Sequence, residues 1–106
     1  MTAAERPAIV RIDGGVTAPD GFRAAGVACG IKPSGRRDLA LLAADAPLSA
    51  AAIFTTNQAQ AAPVLLSREH LIAGGGRCRA VVTNSGCANA CTGPQGLADA
   101  RETARV

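Results

Sequence analysis

The sequence predicts an α/β fold whose core is not closed. Three observations carry this: short apolar runs set between Gly and Pro residues, helical patterning at 63–71 and again after residue 92, and a scarcity of large apolar side chains. The third bounds the other two. Of 106 residues, 24 are Ala, while Leu, Ile, Val and Phe together supply 22. That share is close to the level at which a chain struggles to build its own core. No Trp or Tyr adds the buried area that aromatics bring. A chain of this length is one small domain, and this one reads as a segment of a larger domain or as one that folds against a partner.

The elements follow in order. Residues 1–13 form a loose start, in which Ile9-Val10-Arg11-Ile12 has the character of a short strand ending at Gly14-Gly15. Residues 22–31 mix small and β-branched types with glycines at 21, 26 and 30, a pattern of bulges or close backbone approach. Pro33-Ser34-Gly35 is a turn. Leu39–Ala43 and Ala51–Thr56 are short runs apolar on both faces, which suits strands buried between layers, although period alone does not separate them from helix. Pro63–Leu71 opens on a proline and fits a helix stopped by Gly74-Gly75-Gly76. Arg79–Thr83 is a strand leading into TNSGCANACTG, residues 83–93. Thr92 with Gln95 three residues on matches a capping box, with Pro94 in the first turn. Leu97, Ala100 and Ala104 then form one apolar stripe, and the helix runs to Val106 without a stop signal. An element still open at Val106 is the second sign of an incomplete unit.

Composition narrows the function. The formal charge is +3, but the basic residues are spread out and stacking aromatics are lacking, so no nucleic-acid surface is expected. No run resembles a secretory signal or approaches a membrane span, so a cytoplasmic protein with reduced cysteines is expected. Cys87 and Cys91 have a tolerable metal spacing, but Cys29 and Cys78 do not pair and His70 is the only His; buried or lining thiols fit better than a zinc clip. Ser85 lacks the glycines of a nucleophile elbow, so a turn serine fits better. Gly26–Lys32 only grazes a phosphate loop. Arg36-Arg37-Asp38 and Arg68-Glu69 are most simply solvated charges. What remains is the strand, small-residue loop and helix of residues 79–105, a junction that exposes backbone N–H groups and a helix N-terminus. It is either a site wall or a tight packed connection.

Four blocks tilt that choice. GGVTAPDGFRAAGVACGIK (14–32), RRDLALLAAD (36–45), IFTTNQAQAAPVLLSREHL (53–71) and VVTNSGCANACTGPQGLADAR (81–101) resemble, in order and spacing, the N-terminal region of the bifunctional glutamate N-acetyltransferase/amino-acid acetyltransferase family, also called ornithine acetyltransferase. The resemblance implies a fragment, residues 14–106, of a layered α/β sandwich with central sheets flanked by helices. It implies transfer of acetyl from N-acetylornithine to glutamate, and in bifunctional members from acetyl-CoA, which is thus a co-substrate option; no other cofactor and no metal are expected. Family precursors cut themselves before a threonine that becomes the nucleophile, and the α and β chains assemble as a heterotetramer. A Thr-Gly pair shortly after the last helix forms the oxyanion hole, so no position here takes either role and the piece alone is expected to be inactive. Asn84, Gly86 and Asn89 are the expected lining residues near the acyl site. Cys87 stands where the family more often has Asn, which weakens any essential amide contact there. The competing readings are an independent non-catalytic α/β binding or subunit-interface module and a related self-cleaving aminopeptidase.

Overall fold

A computed structural model of the chain describes residues 8–105. Five elements follow one another: β1 (Phe22–Val27), β2 (Leu39–Ser49), α1 (Ala62–Ala73), β3 (Arg77–Asn84) and α2 (Gly93–Arg105). The strands form one antiparallel sheet in the order β1-β2-β3, with β2 central. The mixed α/β class holds. Leu41 opposes Ala25 on one side and Val82 on the other, and the β1–β2 register is regular throughout.

β2 is longer than the apolar run 39–43, because it continues through Asp45 and Pro47 to Ser49. Pro47 has no N–H for the ladder, and the β2–β3 register breaks between Ala43 and Leu48 to accommodate it. Two arginines of β3 cover carbonyls in this break. Arg77 Nη2 donates to the Pro47 carbonyl at 2.6 Å and Arg79 Nε to the Ala44 carbonyl at 3.4 Å.

Two expected strands are absent. Residues 9–12 and 51–56 have no ladder partner among the described residues, and a strand is stable only as part of a sheet. Ile9 and Ile53 are fully exposed. The 51–61 segment is instead held on α1. The Arg68 guanidinium lies 5.1 Å from the Phe54 ring centroid, and its Nη1 donates to Gln60 Oε1 at 2.9 Å. α1 starts as expected, with Pro63 in its first turn, and the Gly74–Gly76 run ends it through Gly74 N–H to His70 O (2.9 Å) and Gly76 N–H to Leu71 O (2.9 Å). α1 packs on α2, and Arg101 to Glu69 at 3.1 Å bridges them. Both side chains are half-exposed, so the pair contributes at most about 1 kcal/mol.

The core is thin. Among the described residues only Ala44, Ala62 and Leu66 are buried apolar side chains, and Asp38 is the buried charge. The sheet shows Val27, Leu41, Leu48, Val81 and Val82 to solvent, so β2 is not buried on both faces. A folded monomer of this mass exposes roughly 5,500 Å² of surface. This chain exposes 8509 Å², an excess of roughly 3,000 Å² by that scaling. The radius of gyration, 16.9 Å, likewise exceeds the roughly 13 Å of a compact domain of this length. Among the described residues no helix is long and apolar enough to cross a membrane. The isolated 106-residue chain should therefore bind a hydrophobic dye and melt without a sharp heat-capacity peak. Calorimetry showing one cooperative transition would mean that the chain buries far more of itself than this surface allows.

Candidate functional site

β3 delivers the chain into the loop 85–92 on the side where the β1–β2 connection, residues 28–38, also lies. The two loops are joined through Asp38. Its carboxylate accepts the Cys29 N–H at Oδ1 and the Lys32 N–H at Oδ2, each at 2.8 Å. Its own N–H donates to the Val27 carbonyl at 3.0 Å, and its carbonyl accepts the Ser85 N–H at 2.9 Å. Asp38 is 3% exposed, so it is no solvated charge. A buried carboxylate is tolerated only when donors replace its water. Here the Cys29 and Lys32 backbone N–H groups do so, and they lower its pKa to about 2. The hydrogen bond to Asp38 in turn pushes the Cys29 thiol above its ordinary range. Sequence reasoning missed Asp38 because a charge beside Arg36 and Arg37 reads as surface. The available signal was its position, directly before the apolar run of β2 at the end of a loop holding Gly30, Pro33 and Gly35.

Gly86 fits the second loop against the first. Its φ is +101°, and a Cβ there would stand 2.7 Å from Lys32 Cγ and 3.2 Å from Ile31 Cγ2. Asn84 closes the turn by donating from Nδ2 to the Cys87 carbonyl at 3.1 Å. Asn84, Thr83 and Ser85 line a shallow groove of about 250 Å³ with Arg37, Asp38 and Gly26. Asn89 is elsewhere. Its Nδ2 donates to the Gly96 carbonyl at 2.7 Å and its Oδ1 accepts the Thr92 hydroxyl. Asn84 and Gly86 thus border the Asp38 junction, while Asn89 ties the loop to the first turn of α2.

The capping box does not form. Thr92 donates to Asn89, and Gln95 Nε2 reaches forward to Asp99 Oδ1 at 2.8 Å instead of back to the cap. Gly93 has φ +64°, so helical dihedrals begin no earlier than Pro94, whose missing N–H is no loss there. Among the described residues Cys91, with φ +56°, is the non-glycine residue in the left-handed region, which costs about 1–2 kcal/mol. A second, mainly apolar cleft of about 360 Å³ opens between the helices, lined by Leu65, Leu97, Cys91, Thr92 and Pro94.

The remaining candidates disperse. Cys29, Cys87 and Cys91 are exposed and Cys78 half-buried, so of the expected buried or lining thiols none is fully buried, while Cys91 lines the cleft between the helices. Among the described residues no three of His, Cys, Asp and Glu gather as a metal site. His70 lies exposed on α1, and no hydrogen bond among the described residues joins it to Ser85. The junction is an ordered pair of loops with exposed polar backbone. It is built to hold or position, and it contains no paired nucleophile and base.

A three-stranded antiparallel sheet and a helix pair that present one loop junction and an open apolar surface define a mixed α/β unit matching part of a larger fold. The chain belongs to the ArgJ family, whose sequence model matches residues 23–106. It is 54% identical over its whole length to the arginine biosynthesis bifunctional protein ArgJ of Mycolicibacterium paratuberculosis, covering 26% of that protein. It is 60% identical to the Mycobacterium tuberculosis ArgJ over 87% of this chain and 22% of that protein. The chain thus spans about a quarter of the length of these relatives. The ornithine acetyltransferase of M. tuberculosis, solved with ornithine, superposes with a TM-score of 0.78 at 62% identity, covering 85% of this chain and 46% of that one. The ArgJ structure from Bacillus halodurans gives a TM-score of 0.79 at 44% identity, covering 84% of this chain and 46% of that one. The fold likeness is therefore to part of those chains.

Two outcomes follow from the geometry. Gly86→Ala forces a side chain into the left-handed region and against Lys32 and Ile31, and in the protein completed with the rest of its M. tuberculosis relative should cost about 1–3 kcal/mol, read as a lowered denaturation midpoint. The Asp38 pKa is depressed in the folded state, so its contribution is present above the ordinary carboxylate value and is lost as pH falls toward about 2. The Cys29 and Lys32 amide resonances should therefore titrate with a midpoint near 2; a midpoint at the ordinary value would contradict the two hydrogen bonds.

Proposed function

We propose that this chain is scaffold from an acetyltransferase of arginine biosynthesis, one that moves acetyl from N-acetylornithine to glutamate. Family membership across residues 23–106 is the observation that carries this reading. In it, the nucleophile is a threonine on a self-cleaved β chain, freed together with its own amine. The acetyl group passes to that hydroxyl and then to the acceptor amine. A Thr-Gly pair beyond α2 stabilises the tetrahedral oxyanion. The enzyme acts in the cytoplasm as a heterotetramer of two α and two β chains, and this chain lies in the α part. Asn84, Gly86 and Asn89 belong to the wall of the acyl site, with Asn89 acting through Thr92 and α2.

Two features support a scaffold role. Among the described residues the Asp38 carboxylate is occupied by the Cys29 and Lys32 N–H groups and not by the Ser85 hydroxyl, and the Thr92 hydroxyl is engaged by Asn89. The roughly 3,000 Å² of excess surface matches the area of an obligate interface. The test is an acetyl-transfer assay from N-acetylornithine to glutamate. The chain alone should give no turnover and no acetylated side chain. The chain joined to the remaining three-quarters of the M. tuberculosis relative should give turnover and an acetylated threonine outside residues 1–106. Turnover, or an acetyl adduct, on the isolated chain would refute the reading.

A further inference from the structure

We propose that Asp38 is a positioning residue for the acyl-site loop: one buried side chain and its own carbonyl hold the 28–33 loop and the 84–88 loop in a single fixed arrangement. The inference rests on the acetyltransferase reading and goes beyond it, because neither loop carries the nucleophile.

Four hydrogen bonds converge on this residue. Two come to the carboxylate from Cys29 and Lys32, one goes from its N–H to Val27, and one comes to its carbonyl from Ser85. Residues 28–33 have no ladder bonds of their own, so the carboxylate supplies the donors' partner at both ends of that loop. Ile31 and Lys32, held in this way, form the surface on which Gly86 closes. The Ser85 N–H then fixes the point where β3 leaves the sheet. Displacing the carboxylate therefore moves Lys32 and loosens the surface on which Gly86 closes, while the Ser85 N–H stays on the Asp38 carbonyl as the pivot of the 84–88 loop. A shell residue of this kind acts on rate by geometry, and misplacement by about 1 Å lowers turnover by about 100-fold in favourable cases.

Asp38→Asn keeps the shape but turns an NH2 group toward one backbone donor. In the protein completed with the rest of the M. tuberculosis relative, we expect kcat/KM to fall about 10- to 100-fold, mainly in kcat, counted per folded molecule. Maleimide labelling of Cys29 and Cys87 should accelerate together, with Cys78 unchanged as an internal reference. Glu102→Gln on α2 should match the parent protein. Unchanged kcat per folded molecule in Asp38→Asn, with only a lowered melting temperature, would overturn the proposal. Should the variant not fold, hydrogen exchange in the parent protein decides: on adding ornithine, segments 28–33 and 84–88 should slow together, and slowing of only one would overturn it. An inactive parent protein, or ornithine that slows exchange nowhere, sinks the functional reading instead of the positioning role.

Discussion

A single buried carboxylate governs how the β1–β2 connection meets the loop after β3. Removing Asp38 from water is unfavourable in itself, and the structure answers with oriented backbone N–H groups from a loop outside the strand ladder. The exchange works in both directions. The charge obtains replacement for its hydration, and the loop obtains a fixed shape without a strand ladder. Because the carbonyl of the same residue holds Ser85, order passes from hairpin to site loop through one residue's two functional groups. A neutral residue at this place keeps the main-chain link and loses the loop.

The rest of the molecule is economical in the same way. Ala24, Ala25 and Gly26 on β1 face Leu42, Leu41 and Ala40 on β2, so the sheet is thin on both sides. Small side chains let another layer approach closely, but they bury little area themselves. The exposed Val27, Leu41 and Val82, which the register sets on one face of the sheet, then make sense as one half of a contact. Relatives about four times as long have ample chain to supply the other half.

The sequence disclosed what local chemistry controls and hid what tertiary context controls. α1 was legible from Pro63 and the glycine stop, and β3 from Arg79–Thr83, because both depend on nearby residues. Residues 51–56 misled: a β-branched apolar run satisfies the strand pattern, yet nothing in the described chain pairs with it, and Arg68 draws Phe54 onto α1 instead. Thr92 and Gln95 had capping spacing, but Asn89 competed for the hydroxyl and Asp99 for the amide. Asp38 was hidden because burial is a property of three segments meeting. The site residues were legible only in part. Asn84 and Gly86 border one junction, while Asn89 serves the helix.

The place of β2 between two partners has a consequence for how the protein comes into being. Leu39 pairs with Val27, close behind it in the chain, and with Asn84, far ahead. As the polypeptide leaves the ribosome, the near pairing is available first, since closing a short loop loses less entropy than closing a long one. The shorter closure thus favours the β1–β2 pairing, and the acidic clasp is enclosed only when β3 arrives beside β2 and Ser85 reaches the Asp38 carbonyl.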